Sequence, residues 1–159
     1  MKDVRPTSGR VLSALFSILG GKVEGAKFLD LFAGTGRVGL EALRRGAGEC
    51  VFVESVRARA EELRQKAGGS LVLSLEVRRA VSWLVKRGMK FDVIFADPPY
   101  CAGWCEAVTK IPGLDELFAE GGVMVVEHSA REKLEGWDTR EYGETCLTFI
   151  RRHDESGTL

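Results

Sequence analysis

Apolar and polar positions along this chain switch between two periods. From residue 27 onward, short runs of apolar and β-branched residues, "KFLDLF", "CVFVE", "LVLSLEV", "FDVIFA" and "VMVVEH", read as strands, and most lack a polar face, as strands covered on both sides do. Between them lie "GRVGLEALRRG", "VRARAEELRQKA", "AVSWLVKRG" and "GLDELFAEGG", which carry helical apolar spacing or strong helix formers and mostly end at glycine. This alternation predicts a parallel sheet flanked by helices. Upstream, "TSGRVLSALFSIL" opens with capping residues and continues as an amphipathic helix. Downstream the period changes. "WDTREYGETCLTFIRR" reads as two strands around a glycine-containing turn, so the sheet is expected to hold seven strands and to end in an antiparallel pair. Residues 1–25 form an N-terminal segment whose helix packs on the core, 26–152 one α/β domain, and 153–159 a frayed C-terminus.

A chain of 159 residues with 45% hydrophobic composition can bury one core, which leaves no need for a second domain. No window approaches the roughly 20 apolar residues that span a bilayer, and the N-terminus lacks a signal-peptide stretch, so a cytoplasmic location is expected. Cys50, Cys101, Cys105 and Cys146 are too scattered for a disulfide framework. Cys101 and Cys105 have no second Cys or His pair nearby, and no metal is expected. The formal net charge is zero, which by itself argues against a nucleic-acid partner. The average hides a division, because residues 1–96 carry 17 Lys or Arg against 10 Asp or Glu, while 97–159 carry 6 against 13. A local basic footprint is therefore compatible with a neutral protein.

"LDLFAGTGRVGLEAL" places Asp30 at a strand end and Gly34 and Gly36 in the turn into a helix, where a ligand can approach the backbone and meet free N–H donors. Glu54 ends the next strand, where an acid would accept hydrogen bonds from ribose hydroxyls. "GTGRVG" also matches the dinucleotide pattern G-x-G-x-x-G, and a tight turn without ligand would look the same. An acid at the position of Asp30 would repel a pyrophosphate and suits a ligand with positive charge, such as the ammonium and sulfonium of S-adenosylmethionine. "FADPPYCAGW" adds a carboxylate, Asp97, at the end of the fourth long strand. Pro98 and Pro99 follow as a stiff turn that offers carbonyl acceptors and no donors, and Tyr100 as a flat ring. Open α/β sheets bind ligands at the carboxyl ends of their strands, so Asp30, Glu54 and Asp97 should line one crevice.

"DPPY" after an apolar strand, with "DLFAGTG" about 60 residues upstream, resembles the class I methyltransferases that modify exocyclic amines of nucleic-acid bases. "RPTSGRVLSALFSIL", "GLEALRRGA", "VFVE", "VVEHS" and "EYGETCLTFIRR" make the closer similarity that to the RsmD-type family, which methylates guanine N2 in small-subunit (16S) ribosomal RNA. The resemblance spans residues 5–152. It implies a Rossmann-like sheet with helices on both faces, S-adenosyl-L-methionine as cofactor, no metal, and ribosomal RNA in a partly or fully assembled small subunit as partner. Carried onto this sequence, it implies cofactor contacts from Thr7, Asp30, Phe32, Ala33, Gly34, Thr35, Gly36, Glu54, Ser55 and Asp97. It also implies adenine contacts at Arg79 and Ala80, where backbone groups must serve because an arginine only donates. Asp97, Pro98, Pro99 and Tyr100 form the catalytic motif. The amine's N–H bonds go to the Asp97 carboxylate and the Pro98 carbonyl while Tyr100 stacks on the base. Arg5 and Arg10 are the expected phosphate contacts, and Trp104 the flank of the substrate pocket. "DPPY" alone is compatible with adenine-N6 methylation, and the fold alone with a non-catalytic nucleotide- or RNA-binding protein.

Overall fold

The computed structural model describes residues 7–99 and 103–152. Strands β1 (Lys27–Asp30), β2 (Glu49–Val53), β3 (Val72–Leu73), β4 (Phe91–Ala96), β5 (Phe118–Ser129), β6 (Asp138–Tyr142) and β7 (Thr145–Arg151) form a single sheet in the order β3-β2-β1-β4-β5-β7-β6. The pairings from β3 through β5 are parallel, and β7 runs antiparallel to both β5 and β6. Helices α1 (Gly9–Leu19), α2 (Arg37–Arg44), α3 (Arg57–Lys66), α4 (Val77–Lys86) and α5 (Trp104–Thr109) complete the α/β architecture that the alternating pattern predicts. Among the described residues, no helix is long and apolar enough to cross a membrane.

Alternation along each strand divides the core into two layers. Phe28, Phe52, Phe95 and Val125 face Leu15 and Phe16 of α1, Val38 and Ala42 of α2, and Ala60 and Leu63 of α3. On the other side, Leu29, Val51, Ile94 and Met124 face Ala80, Val81 and Leu84 of α4 and Val108 of α5. Both faces of the parallel strands are covered, which is why their sequences lack a polar stripe. The strand order reverses direction between β1 and β4, and the crevice of such a sheet opens at this switch point.

Three element boundaries differ from the sequence reading. "LVLSLEV" yields only the two-residue β3, because the Glu76 carboxylate accepts the Arg78 N–H at 2.9 Å and starts α4 at Val77. "GLDELFAEGG" is not a helix: a single 3-10 turn, Leu114–Leu117, leads straight into β5 at Phe118. Phe118 pairs with Phe91 and Val123 with Val93, so the residues between them bulge out of the ladder. Gly121 turns there with φ of 74°, and a Cβ on Gly122 would stand 2.9 Å from the Phe91 carbonyl oxygen. Those glycines serve the bulge and do not end a helix. The short α5 has too few turns to show a period in sequence.

Candidate active site

The same alternation that builds one core layer also places four acids. Asp30 follows Phe28 by two residues, Glu54 follows Phe52, Asp97 follows Phe95 and Glu127 follows Val125, so all four belong to the sheet face covered by α1, α2 and α3. They line one cavity of about 600 Å³, together with Thr7, Phe32, Ala33, Gly34, Thr35, Ser55, Pro98 and Pro99. That volume suits a ligand of cofactor size.

The turn after β1 is built for close approach. Gly34 and Gly36 have φ of 57° and 81°, and a Cβ on Gly36 would run into the Leu63 side chain of α3. Gly39, one turn into α2, lies so near β2 that a Cβ would stand 2.8 Å from the Cys50 sulfur and collide with the Phe52 ring. Glu54 holds the turn in place. Its Oε1 accepts the Gly34 N–H at 2.9 Å and its Oε2 the Val56 N–H at 2.7 Å. A carboxylate has about four acceptor sites, so Glu54 keeps capacity for two further donors.

Asp30 is 1% exposed. Its Oδ2 accepts the Gly39 N–H at 3.1 Å, while its Oδ1 is buried with no hydrogen-bond partner among the described residues. Burial raises its pKa to about 7 against the pull of the Gly39 N–H, with Glu54 and Glu127 adding repulsion. Glu127 is also raised by burial, and the Thr7 hydroxyl, donating to its Oε1 at 2.8 Å, draws it back down. The cavity sets these four acids beside Arg37 and Arg59, and the Asp30 Oδ1, buried with no hydrogen-bond partner among the described residues, favours a ligand that brings it a donor. The ammonium and sulfonium of S-adenosylmethionine fit beside these carboxylates.

Of the residues expected in the site, Thr7, Asp30, Phe32, Ala33, Gly34, Thr35, Glu54, Ser55, Asp97, Pro98 and Pro99 line the cavity. Gly36 shapes its turn from below. Arg79 and Ala80 do not reach it: Ala80 is fully buried among the core residues of α4, and Arg79 is exposed on that helix. Leu75, Glu76 and Val77 lie just ahead of them, where α4 begins sooner than the sequence suggested. These three line a smaller hollow of about 150 Å³ that shares Phe32, Glu54, Ser55 and Pro99 with the main cavity.

Trp104 stands in this hollow and not in the main cavity. It meets Phe32 edge-on at 5.7 Å, and the Arg78 guanidinium lies 4.8 Å from its ring centroid. Arg10 is exposed on the first turn of α1, 5.9 Å from the Tyr142 ring, outside both hollows. Arg5 and Tyr100 lie outside the described residues. Sequence reasoning missed Arg37, Arg59 and Glu127, all of which line the main cavity. Glu127 had a signal: it lies two positions beyond a core residue of its strand, as Asp30, Glu54 and Asp97 do.

His128, adjacent in "VVEHS", has a structural place. Its Nε2 bonds the Thr148 hydroxyl at 2.7 Å and its Nδ1 approaches the Ser129 carbonyl at 2.9 Å. Cys50, Cys105 and Cys146 are free and buried, and among the described residues no group of three or more His, Cys, Asp or Glu is placed to hold a metal ion.

A sheet that opens at the β1/β4 switch point, with a glycine turn after β1, an acid at the end of β2 and an Asp-Pro-Pro corner after β4, defines an S-adenosylmethionine-dependent methyltransferase. The chain belongs to the family described as Conserved hypothetical protein 95, which matches residues 1–151. It is 32% identical over 136 residues to the ribosomal RNA small subunit methyltransferase D of Escherichia coli K12, covering 82% of this chain and 67% of that one. Among solved structures, a hypothetical protein of Thermus thermophilus superposes with a TM-score of 0.79 at 32% identity, covering 92% of this chain and 87% of the other. A 16S rRNA N2 methyltransferase from the same species, solved with AdoMet and guanosine, gives a TM-score of 0.70 at 26% identity, covering 94% of this chain and 44% of that one.

Proposed function

We propose that this enzyme methylates the exocyclic N2 amine of a guanine in 16S ribosomal RNA, within a partly or fully assembled small subunit in the cytoplasm. That it is an S-adenosylmethionine-dependent methyltransferase acting on ribosomal RNA follows from its family, relatives and fold. One observation carries the amine reading, that the Asp97-Pro98-Pro99 corner lines the same cavity as the Gly34 turn and Glu54, and the likeness to a 16S rRNA N2 methyltransferase solved with guanosine supports guanine.

When bound, S-adenosylmethionine supplies a methyl group on a sulfonium, an electrophile that needs no further activation. Asp30 and the Gly34 turn hold its amino-acid end, Glu54 its ribose hydroxyls, and the hollow of Phe32, Leu75, Val77 and Trp104 its adenine. The chain's own task is the amine. A guanine amine is a poor nucleophile because its lone pair is delocalised into the ring. Accepting its two N–H bonds, one on the Asp97 carboxylate and one on the Pro98 carbonyl, favours the pyramidal form whose lone pair can attack. Asp97 then stabilises the positive charge that develops on nitrogen and takes up the proton that leaves it. The two prolines keep competing N–H donors out of the corner. Most of the rate comes from position, with nitrogen and methyl carbon brought to about 3–3.5 Å.

The test is incubation of the purified protein with radiolabelled S-adenosylmethionine and small ribosomal subunits that lack endogenous methylation, followed by digestion and mapping. Label in N2-methylguanosine of 16S RNA is expected. Label in N6-methyladenosine, or in duplex DNA and not in subunits, refutes the assignment.

A further inference from the structure

Glu127 is the one acid of the cavity that the transfer described above leaves unused. Across the sheet the four acids follow strand order: Glu54 after β2, Asp30 on β1, Asp97 after β4 and Glu127 on β5. The cofactor's ribose belongs at the Glu54 end and the acceptor corner lies in the middle, so Glu127 flanks that corner on the far side from the cofactor. The register reinforces this. Phe95 pairs with Val125 and Ala96 with Val126, and Asp97 and Glu127 are the next residues of those two neighbouring segments.

Glu127 is only 8% exposed, yet it lines the cavity. Thr7 engages its Oε1, while its Oε2 has no hydrogen bond among the described residues. A carboxylate in the wall of a ligand cavity, with acceptor capacity beyond its one hydrogen bond, can take a donor from that ligand.

We propose that Glu127 selects guanine over adenine by accepting the ring N1–H that neighbours the amine held by Asp97 and Pro98. The inference rests on the guanine-N2 reading above and extends it to the residue that sets base identity. Along its Watson–Crick edge, guanine presents N1–H and the N2 amine as adjacent donors. Two acceptors one strand apart meet two donors of one ring. An adenine placed with its amine in the same corner turns the N1 lone pair toward Glu127, leaving a buried carboxylate facing another acceptor. Thr7 is the positioning residue: its hydroxyl ties Oε1 to the start of α1, favours the ionised carboxylate and leaves Oε2 toward the cavity. A site built around such a hydrogen bond rejects the analogue that lacks the donor far more strongly than an apolar wall does.

The experiment uses small subunits reconstituted with RNA in which the mapped target guanine is replaced by 2-aminopurine. This base keeps the 2-amine but has a lone pair at N1 instead of N1–H. The wild-type enzyme is expected to favour guanine by at least tenfold in kcat/KM. Glu127→Gln, whose amide can donate to that lone pair, should narrow or reverse the ratio while its affinity for S-adenosylmethionine stays within a few fold. Thr7→Val, of nearly equal volume, should move the ratio the same way by a smaller factor and provides the test if Glu127→Gln does not fold. Guanine transfer with an unchanged ratio in both variants, or a loss confined to cofactor affinity, overturns the assignment. Label arriving on an adenine refutes the guanine reading itself, an outcome distinct from guanine transfer with unaltered selectivity.

Discussion

Asp30 is buried, with one oxygen unpartnered among the described residues, and this has a measurable cost in the absence of ligand. Its carboxyl titrates at about 7 in the folded protein against 3.8 unfolded, so between those values the native state binds more protons. Stability of the ligand-free protein should therefore fall by a few kcal/mol as pH rises from about 4 to about 7 and then level off. Asp30→Asn should remove that slope, which melting curves of both proteins at pH 5 and pH 8 would reveal. Cofactor affinity should run the other way, rising toward pH 7 as Asp30 ionises, and titration calorimetry across that range checks it. Asp97 makes a different prediction. Asp97→Ala should abolish methyl transfer while leaving cofactor affinity within a few fold; retained turnover would mean that the proton acceptor lies elsewhere. At Gly39, an added methyl has nowhere to go between α2 and the Phe52 ring, so Gly39→Ala should cost about 1–3 kcal/mol by denaturant titration.

At the scale of elements, the long strands were legible because burial on both faces writes an unbroken apolar run, as in "FDVIF". The helices α1, α2 and α4 showed their amphipathic spacing, and α3 its run of helix formers. What failed were short-range contests between local propensity and long-range pairing. "LDELFAE" is rich in helix formers, yet Phe118 is drawn into the β5–β4 ladder, and no local signal announces a partner 27 positions upstream. The start of α4 was misjudged because Glu76 caps it from within what looked like a strand. Arg79 and Ala80, which the resemblance alone put at the adenine, lie within that helix and line neither hollow. The acids of the site were easier to read, since strand ends in an α/β sheet converge on one edge. The α1 start offers a test of capping strength: the Ser8 hydroxyl accepts the Val11 N–H at 3.2 Å, and Ser8→Ala should cost about 1 kcal/mol in thermal or chemical unfolding.

For the whole molecule, the cavity couples four strands and the start of α1, so a ligand that fills it should raise the melting point of the entire sheet. S-adenosylmethionine at 100 times its Kd should add about 2.7 kcal/mol of stability, and NAD at the same concentration should add nothing. A thermal-shift series with both compounds separates these outcomes. The uneven charge of the sequence does not by itself reveal where RNA lies, because Arg37 and Arg59 reach the cavity only through folding.

The seventh strand gives the molecule a particular birth order. β7 is threaded between β5 and β6, so β6 leaves the ribosome before the strand it pairs with exists. A nascent chain stalled at Glu144 would carry five joined strands, a naked flank along β5 and a stranded β6. The His128–Thr148 bond would also be unmade. Closure of the sheet must therefore wait until synthesis has passed β7, and premature stops in that stretch should yield chains that chaperones hold and proteases clear, not shortened enzymes.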